Sequence, residues 1–149
     1  MKISEIMNKD CIVMGIKAQN KRQFLQELAK KASEITKISE RTIFDGLLER
    51  ENLGSTGFGG ATALPHARIA EADKVYAILA KTNTPVEFEA VDNKPVDLAF
   101  MLISPENSGA DHLTALAQVS RILKDEATCN KIRQITNSEE IYALLNNKD

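Results

Sequence analysis

Leu48-Glu49-Arg50-Glu51-Asn52-Leu53-Gly54-Ser55-Thr56-Gly57-Phe58-Gly59-Gly60-Ala61-Thr62-Ala63-Leu64-Pro65-His66-Ala67-Arg68 decides how this chain is read, because it joins a helix end, a glycine-dense loop, a short apolar segment and a Pro-His step. Glycine tolerates positive φ and close backbone approach, while Pro65 locks its own φ and biases Leu64 toward an extended conformation. His66 therefore follows a conformationally restricted step, beside a loop whose backbone N–H groups are expected to be free.

Upstream of this stretch, Ser39 reads as the N-cap of a helix running to about residue 51. Ile43, Leu47 and Leu48 face inward, Glu40 lies in the first turn and Arg50 in the last, where its charge complements the helix dipole. Asn52-Leu53-Gly54 stops that helix. Phe24, Leu25, Leu28, Ala29, Ala32 and Ile35 recur at helical spacing and predict an amphipathic helix over 21–35, and the apolar run 11–16 suits a buried strand.

Downstream, 61–64, 75–81 and 96–103 read as extended segments, the last two apolar enough to be central strands covered on both faces. Residues 84–88 add a short edge strand. After the turn-rich Ser104-Pro105-Glu106-Asn107-Ser108-Gly109, Leu113, Leu116, Ala117, Ser120, Ile122 and Leu123 predict a helix beginning near Asp111. Two shorter helices follow, over 126–134 and from a Ser138 cap to about 146, with Ile141, Leu144 and Leu145 on the buried side. This order predicts a single layered α/β domain over residues 3–146, a mixed β-sheet flanked by helices on both faces. No repeat, low-complexity tract or Pro/Gly-rich linker divides it.

At 149 residues the chain is long enough to bury a core without disulfides or metals. A net charge of −2 supplies no field for nucleic acid or an acidic membrane. Cys11 and Cys129 are isolated, which supports neither a zinc site nor a disulfide framework, and they read as small buried or half-buried thiols. Glu5 interrupts the apolar run that a signal peptide needs, and no segment approaches the ~20 apolar residues of a membrane span. The expectation is a cytoplasmic protein that neither binds nucleic acid nor inserts into a membrane.

The chemistry-bearing residues are few. His66 and His112 are the two histidines of the chain, and both sit where loops meet regular elements. His112 opens a helix, where unpaired N–H groups and the dipole favour an anion. With a reference pKa of about 6.5, histidine is largely neutral near pH 7, the state that attacks phosphorus without a separate base. Phosphoryl transfer then needs donors and a cation beside the nucleophile, and Arg50, at the end of the helix leading into the loop, can grip two oxygens at once. Taken singly, each has a plainer reading: His66 a surface loop histidine, Arg50 a helix-terminal charge, His112 an exposed first-turn residue. Ser55 and Thr56 read as loop-shaping residues. The glycine cluster lacks the Gly-Lys-Ser/Thr ending of a P-loop, no metal-ligand spacing occurs, and a Gly-x-Ser-x-Gly elbow is absent.

Residues 48–59 together with Ala63-Leu64-Pro65-His66-Ala67-Arg68 resemble the signature of the EIIA domains of the fructose/mannitol/nitrogen class of the phosphotransferase system (PTS EIIA type 2). Asp111-His112-Leu113 followed by Leu116-Ala117-Gln118-Val119-Ser120-Arg121-Ile122-Leu123 resembles that family's second histidine segment. The likeness runs from about residue 3 to residue 145. It implies a cytoplasmic phosphotransferase component that takes a phosphoryl group from the phosphohistidine of an HPr-like phosphocarrier, with no metal or organic cofactor. By this resemblance His66 is the phosphoacceptor through Nε2, Arg50 binds the phosphoryl oxygens, and His112 lies nearby in support. Ala67 departs from the family pattern where glycine is frequent. Gly60-Ala61-Thr62 departs as well, with Thr62 expected on the polar side of its strand. An apolar rim near Phe58 is expected to dock the carrier.

Within the class, a chain carrying no EIIB, EIIC or HPr segment and beginning Lys2-Ile3-Ser4-Glu5-Ile6-Met7 is most like the nitrogen-regulatory EIIA. In that reading the phosphorylation state is itself the output of a signal-transducing phosphorelay and controls regulated target proteins. Two alternatives stand beside it. One is a sugar-specific EIIA that relays phosphate to EIIB for sugar uptake, and the other is a binding module indifferent to phosphorylation.

Overall fold

In chain order the elements are α1 (Ile3–Ile6), a 3-10 turn (Lys9–Cys11), β1 (Ile12–Ile16), α2 (Lys21–Thr36), α3 (Glu40–Asn52), β2 (Gly57–Gly59), β3 (Thr62–Ala63), β4 (His66–Arg68), β5 (Tyr76–Val86), β6 (Val96–Ser104), α4 (Ala110–Lys124), α5 (Glu126–Gln134) and α6 (Ser138–Asn146). The computed structural model describes residues 1–147 and, among them, every side chain except that of Phe58. The apolar rim expected at Phe58 therefore lies outside the described residues.

One mixed sheet holds all six strands in the order β1-β5-β6-β3-β2, with β4 also paired to β6. Its centre is the antiparallel β5–β6 pair, in which Tyr76 faces Ile103 and Lys81 faces Leu98. Every residue of β6 from Leu98 to Ser104 is buried, which is why its sequence reads as a continuous apolar run rather than as an alternation. Helices α2 and α3 pack on each other, as do α4 and α5; α2 reaches β1 and β5, α4 reaches β6, and α6 reaches β1. The expected architecture, a mixed sheet flanked by helices on both faces, is the one observed. Phe24 of α2 meets Phe88 edge-to-face in the core, with ring centroids 5.9 Å apart.

The strand that carries the site is broken on purpose of geometry. β3 and β4 both run parallel to β6, Thr62 opposite Leu98 and His66 opposite Leu102, so they lie in succession along one side of β6, interrupted at Leu64-Pro65. Proline has no N–H to give the ladder and restricts the residue before it. The pairing resumes when the Leu102 amide donates to the Pro65 carbonyl at 3.0 Å. The Leu64 carbonyl is thereby left available for a side chain.

Several expectations need correction. Segment 84–88 is not a separate edge strand: β5 continues to Val86 through an irregularity after Lys81, its exposed residues Asn83 to Pro85 leaving the core before pairing with β6 resumes at Val86 opposite Val96, while Ile16 of β1 faces Thr82. His66 follows strand β3, as expected, and also begins a second one, β4. Ser39 makes no side-chain cap bond and closes α3 through its backbone carbonyl alone. The cap of α6 is Asn137, one residue before Ser138, whose Oδ1 accepts from the amides of Glu139 (2.8 Å) and Glu140 (3.2 Å). Thr62 is buried rather than solvent-facing, its hydroxyl donating to the Gly59 carbonyl at 2.8 Å. The short helix α1, which buries Ile3 and Ile6, and the three-residue strand β2 carry too few residues for a periodic signal.

Candidate functional site

The interrupted strand sets the chemistry of His66. Its Nδ1 lies 2.8 Å from the Leu64 carbonyl oxygen. A carbonyl only accepts, so the neutral ring carries its proton on Nδ1 and its lone pair on Nε2. Burial lowers the pKa of His66 and the Arg50 guanidinium acts in the same direction, while the Leu64 carbonyl opposes them. The ring is therefore a neutral base near pH 7, with Nε2 as its nucleophilic atom.

His112, in the first turn of α4, stands beside it: the two ring centroids are 5.9 Å apart and the planes are inclined at 44°. His112 is not the exposed first-turn residue of the plainer reading, since it is 5 % exposed. Its Nδ1 lies 2.7 Å from the hydroxyl of Ser104, the last residue of β6. Burial, with the nearby Arg68 and His66, pushes its pKa down to about 4, so this ring is neutral as well.

Arg50 lies in the last turn of α3, and its Nη1 donates to the Gly54 carbonyl at 2.9 Å, which folds the start of the glycine loop back onto the helix. The rest of that loop is held by Glu51. The buried Glu51 carboxylate accepts from the Thr56 amide at 3.0 Å and from the Thr56 hydroxyl, and Lys21 Nζ lies 3.0 Å from its Oε1. Lys21 also sits over the Phe88 ring, 4.7 Å from its centroid. Ser55 and Thr56 shape the loop, as expected, with Ser55 Oγ donating to the Phe88 carbonyl at 2.9 Å.

The loop does not offer His66 the array of free amides expected for it. The amides of Gly54, Thr56, Gly57 and Gly60 already donate, to the Glu51 carbonyl, the Glu51 carboxylate, Ser55 Oγ and Asp92 Oδ2 respectively. The glycines serve the turn instead, Gly59 and Gly60 having φ of 98° and 64°. The cavity that His66 borders is lined instead by the side chains of Arg50, Arg68 and His112.

Two cavities meet at this point. One, of about 440 Å³, is lined by Arg50, Thr56, Leu64 and His66 on one side and by Leu116 and Ser120 of α4 on the other. A second, of about 380 Å³, is lined by Glu49, Arg50, His66, Arg68, Glu106 and His112. His66 and Arg50 border both, so the imidazole stands in the wall between an apolar groove and a charged one. Among the described residues no group of three or more His, Cys, Asp or Glu is placed to hold a metal ion. Both cysteines are buried, and burial raises their thiol pKa values.

The fold brings together all three residues singled out in the sequence, His66, His112 and Arg50. Two others escaped notice. Glu51 carried a signal, because a carboxylate in the last turn of a helix opposes the dipole and calls for another partner. Ser104, a hydroxyl closing an apolar strand, carried almost none.

An α/β domain in which a half-buried histidine, an arginine and a second histidine line one cavity has the make-up of a phosphotransferase component. The chain belongs to the family described as phosphoenolpyruvate-dependent sugar phosphotransferase system, EIIA 2, which matches residues 5–148. It is 41% identical over 145 residues to a nitrogen regulatory protein of Bradyrhizobium diazoefficiens, covering 97% of this chain and 95% of the relative. A nitrogen regulatory protein of Escherichia coli is 30% identical over 146 residues, covering 97% and 90%. Among solved structures, nitrogen regulatory protein IIA-Ntr of Neisseria meningitidis superposes with a TM-score of 0.89 at 31% identity, over 96% of this chain and 98% of that one. The mannitol IIA of Escherichia coli shares the fold, with a TM-score of 0.77 at 20% identity over 93% and 98%. Among the described residues no helix is long and apolar enough to cross a membrane.

Proposed function

We propose that this chain is a phosphoacceptor of the nitrogen-regulatory kind, one EIIA domain over residues 3–146, which receives a phosphoryl group on His66 Nε2 from an HPr-like phosphocarrier in the cytoplasm. The observation that carries the proposal is the Leu64 carbonyl bound to His66 Nδ1, which leaves the Nε2 lone pair of a neutral ring beside Arg50. In the transfer, the bond from phosphorus to the carrier's ring nitrogen breaks, its electron pair returns to that nitrogen, and the His66 Nε2–P bond forms. The proton stays on His66 Nδ1, where the Leu64 carbonyl stabilises the positive charge the ring gains. Arg50 and His112 hold the equatorial oxygens, whose charge is the main thing a phosphoryl-transfer site stabilises. The apolar groove beside His66 receives the carrier.

The phosphorylation state is the output. Adding about −1.5 to −2 charges to a surface that is part apolar switches which regulated target proteins it accepts. The sugar-relay alternative, with EIIB as the next acceptor, draws on a fructose-specific EIIA component of Haloferax volcanii that is 32% identical over 123 residues. The stronger likeness, 41% over 145 residues, is to a nitrogen regulatory protein.

The test is transfer from a phosphorylated HPr-like carrier to the parent and to His66→Ala, read by intact mass at neutral and acidic pH. An acid-labile gain of about 80 Da on the parent alone supports the assignment. Equal labelling of both proteins moves the acceptor elsewhere, and labelling of neither by several carriers leaves the phosphorylation-independent binding module.

A further inference from the structure

A serine hydroxyl has one proton to give, and among the described residues Ser104 has one acceptor for it. Ser104 is fully buried at the end of β6, and among the described residues the hydrogen-bond partner of its Oγ is His112 Nδ1, at 2.7 Å. Were the imidazole the donor, from Nδ1–H to Oγ, the hydroxyl proton would be left in the interior without an acceptor, a state that folded proteins avoid. With the hydroxyl donating to Nδ1, both groups are satisfied. The His112 ring is neutral in this buried setting, so its single proton is then on Nε2.

The neighbouring histidines thus hold opposite tautomers. His66 faces a carbonyl, which takes its Nδ1 proton and bares Nε2; His112 faces a hydroxyl, which occupies the Nδ1 lone pair and leaves a proton on Nε2. The His112 ring also lines the charged cavity it shares with His66 and Arg50, and with Nδ1 occupied, Nε2 is the nitrogen that remains for that cavity. The other charged groups there are Arg68 on β4, Glu49 on α3 and Glu106 on the segment before α4.

We propose that Ser104 is a positioning residue for phosphoryl transfer: by donating to His112 Nδ1 it keeps the ring proton on His112 Nε2, so that His112 meets a phosphoryl oxygen as a hydrogen-bond donor. This rests on the phosphoacceptor reading of His66. In the opposite tautomer a lone pair would face an anionic oxygen and repel it. No proton moves through Ser104 in the step; His112 keeps its Nε2 proton while the P–N bond changes hands.

Two measurements test this. In the unphosphorylated protein labelled with 15N-histidine, long-range 1H–15N correlation is expected to show His112 protonated on Nε2 and bare on Nδ1, with that preference weakened in Ser104→Ala. Transfer from the phosphorylated carrier is expected to slow about tenfold in Ser104→Ala, and more in His112→Ala. In the double variant Ser104→Ala is expected to add nothing to His112→Ala, because its effect runs through that ring. Finding the proton on Nδ1 in a parent that is phosphorylated normally overturns the role of Ser104 and spares that of His66. So does a Ser104→Ala defect that persists undiminished in the His112→Ala background. A parent that accepts no phosphoryl group removes the phosphoacceptor reading and this role with it.

Discussion

His66 and His112 come from different elements, the first residue of β4 and the first turn of α4, yet their imidazole centroids lie 5.9 Å apart with planes inclined at 44°. Each ring is held through Nδ1, His66 by the Leu64 carbonyl and His112 by the Ser104 hydroxyl. Leu64 precedes the proline that separates β3 from β4, and Ser104 ends β6, the strand with which both are paired. The pair is therefore built by the register of two parallel strands.

The buried His112 makes stability depend on pH in a defined direction. Its pKa in the folded protein, about 4, lies below the unfolded value of about 6.5, so between these values the unfolded chain binds more protons. Stability falls as pH falls through that window. Urea unfolding at pH 7 and pH 4.5 is expected to show the parent losing about 2–3 kcal/mol more than His112→Asn. The lowered pKa of His66 acts with the same sign in both proteins. Equal losses would mean that His112 is protonated in the fold.

Glu51 ties α2, α3 and the glycine loop through Lys21 and Thr56. Glu51→Ala leaves Lys21 beside Glu89, at 3.7 Å, and strips the Thr56 amide of its acceptor. The expected cost is about 2–4 kcal/mol in denaturant unfolding. Faster hydrogen exchange at the Thr56 amide is expected with it; an unchanged exchange rate would show that the carboxylate does not hold the loop.

Arg50→Lys keeps the charge and loses the planar fork. Transfer from the carrier is expected to slow about ten- to a hundredfold, since an ammonium cannot grip two oxygens in a fixed geometry. Stability should change by no more than about 1 kcal/mol, because one hydrogen bond, to Gly54, is lost at an exposed site. Transfer at the parent rate would remove Arg50 from the phosphoryl-binding role.

At Gly57 the constraint is close approach. An added Cβ would stand 2.9 Å from Ala90 Cβ and 3.1 Å from both the Ala90 Cα and Phe88 Cδ1. Gly57→Ala is expected to cost about 1–3 kcal/mol, measured by thermal or denaturant unfolding, because the Ala90 backbone must move. A neutral substitution would show that segment 88–90 yields freely.

Much of this was written locally. Helices α2, α3 and α5 are legible because an amphipathic face repeats every three to four residues, and β6 because a strand covered on both faces is apolar throughout. His66, Arg50 and His112 stood out because Pro65, the glycine loop and the helix ends mark unusual backbone around them. Whether they meet was not a local matter. What the tertiary structure alone decided is that β3 and β4 share β6 as a partner, that loop amides are taken up by Glu51 and Asp92, and that Ser104 stands behind His112. Periodicity in a sequence records which side of an element faces the core. A hydrogen bond between residues far apart in the chain leaves no such repeat, and only the packed fold can say which carbonyl, hydroxyl or carboxylate each polar group finds.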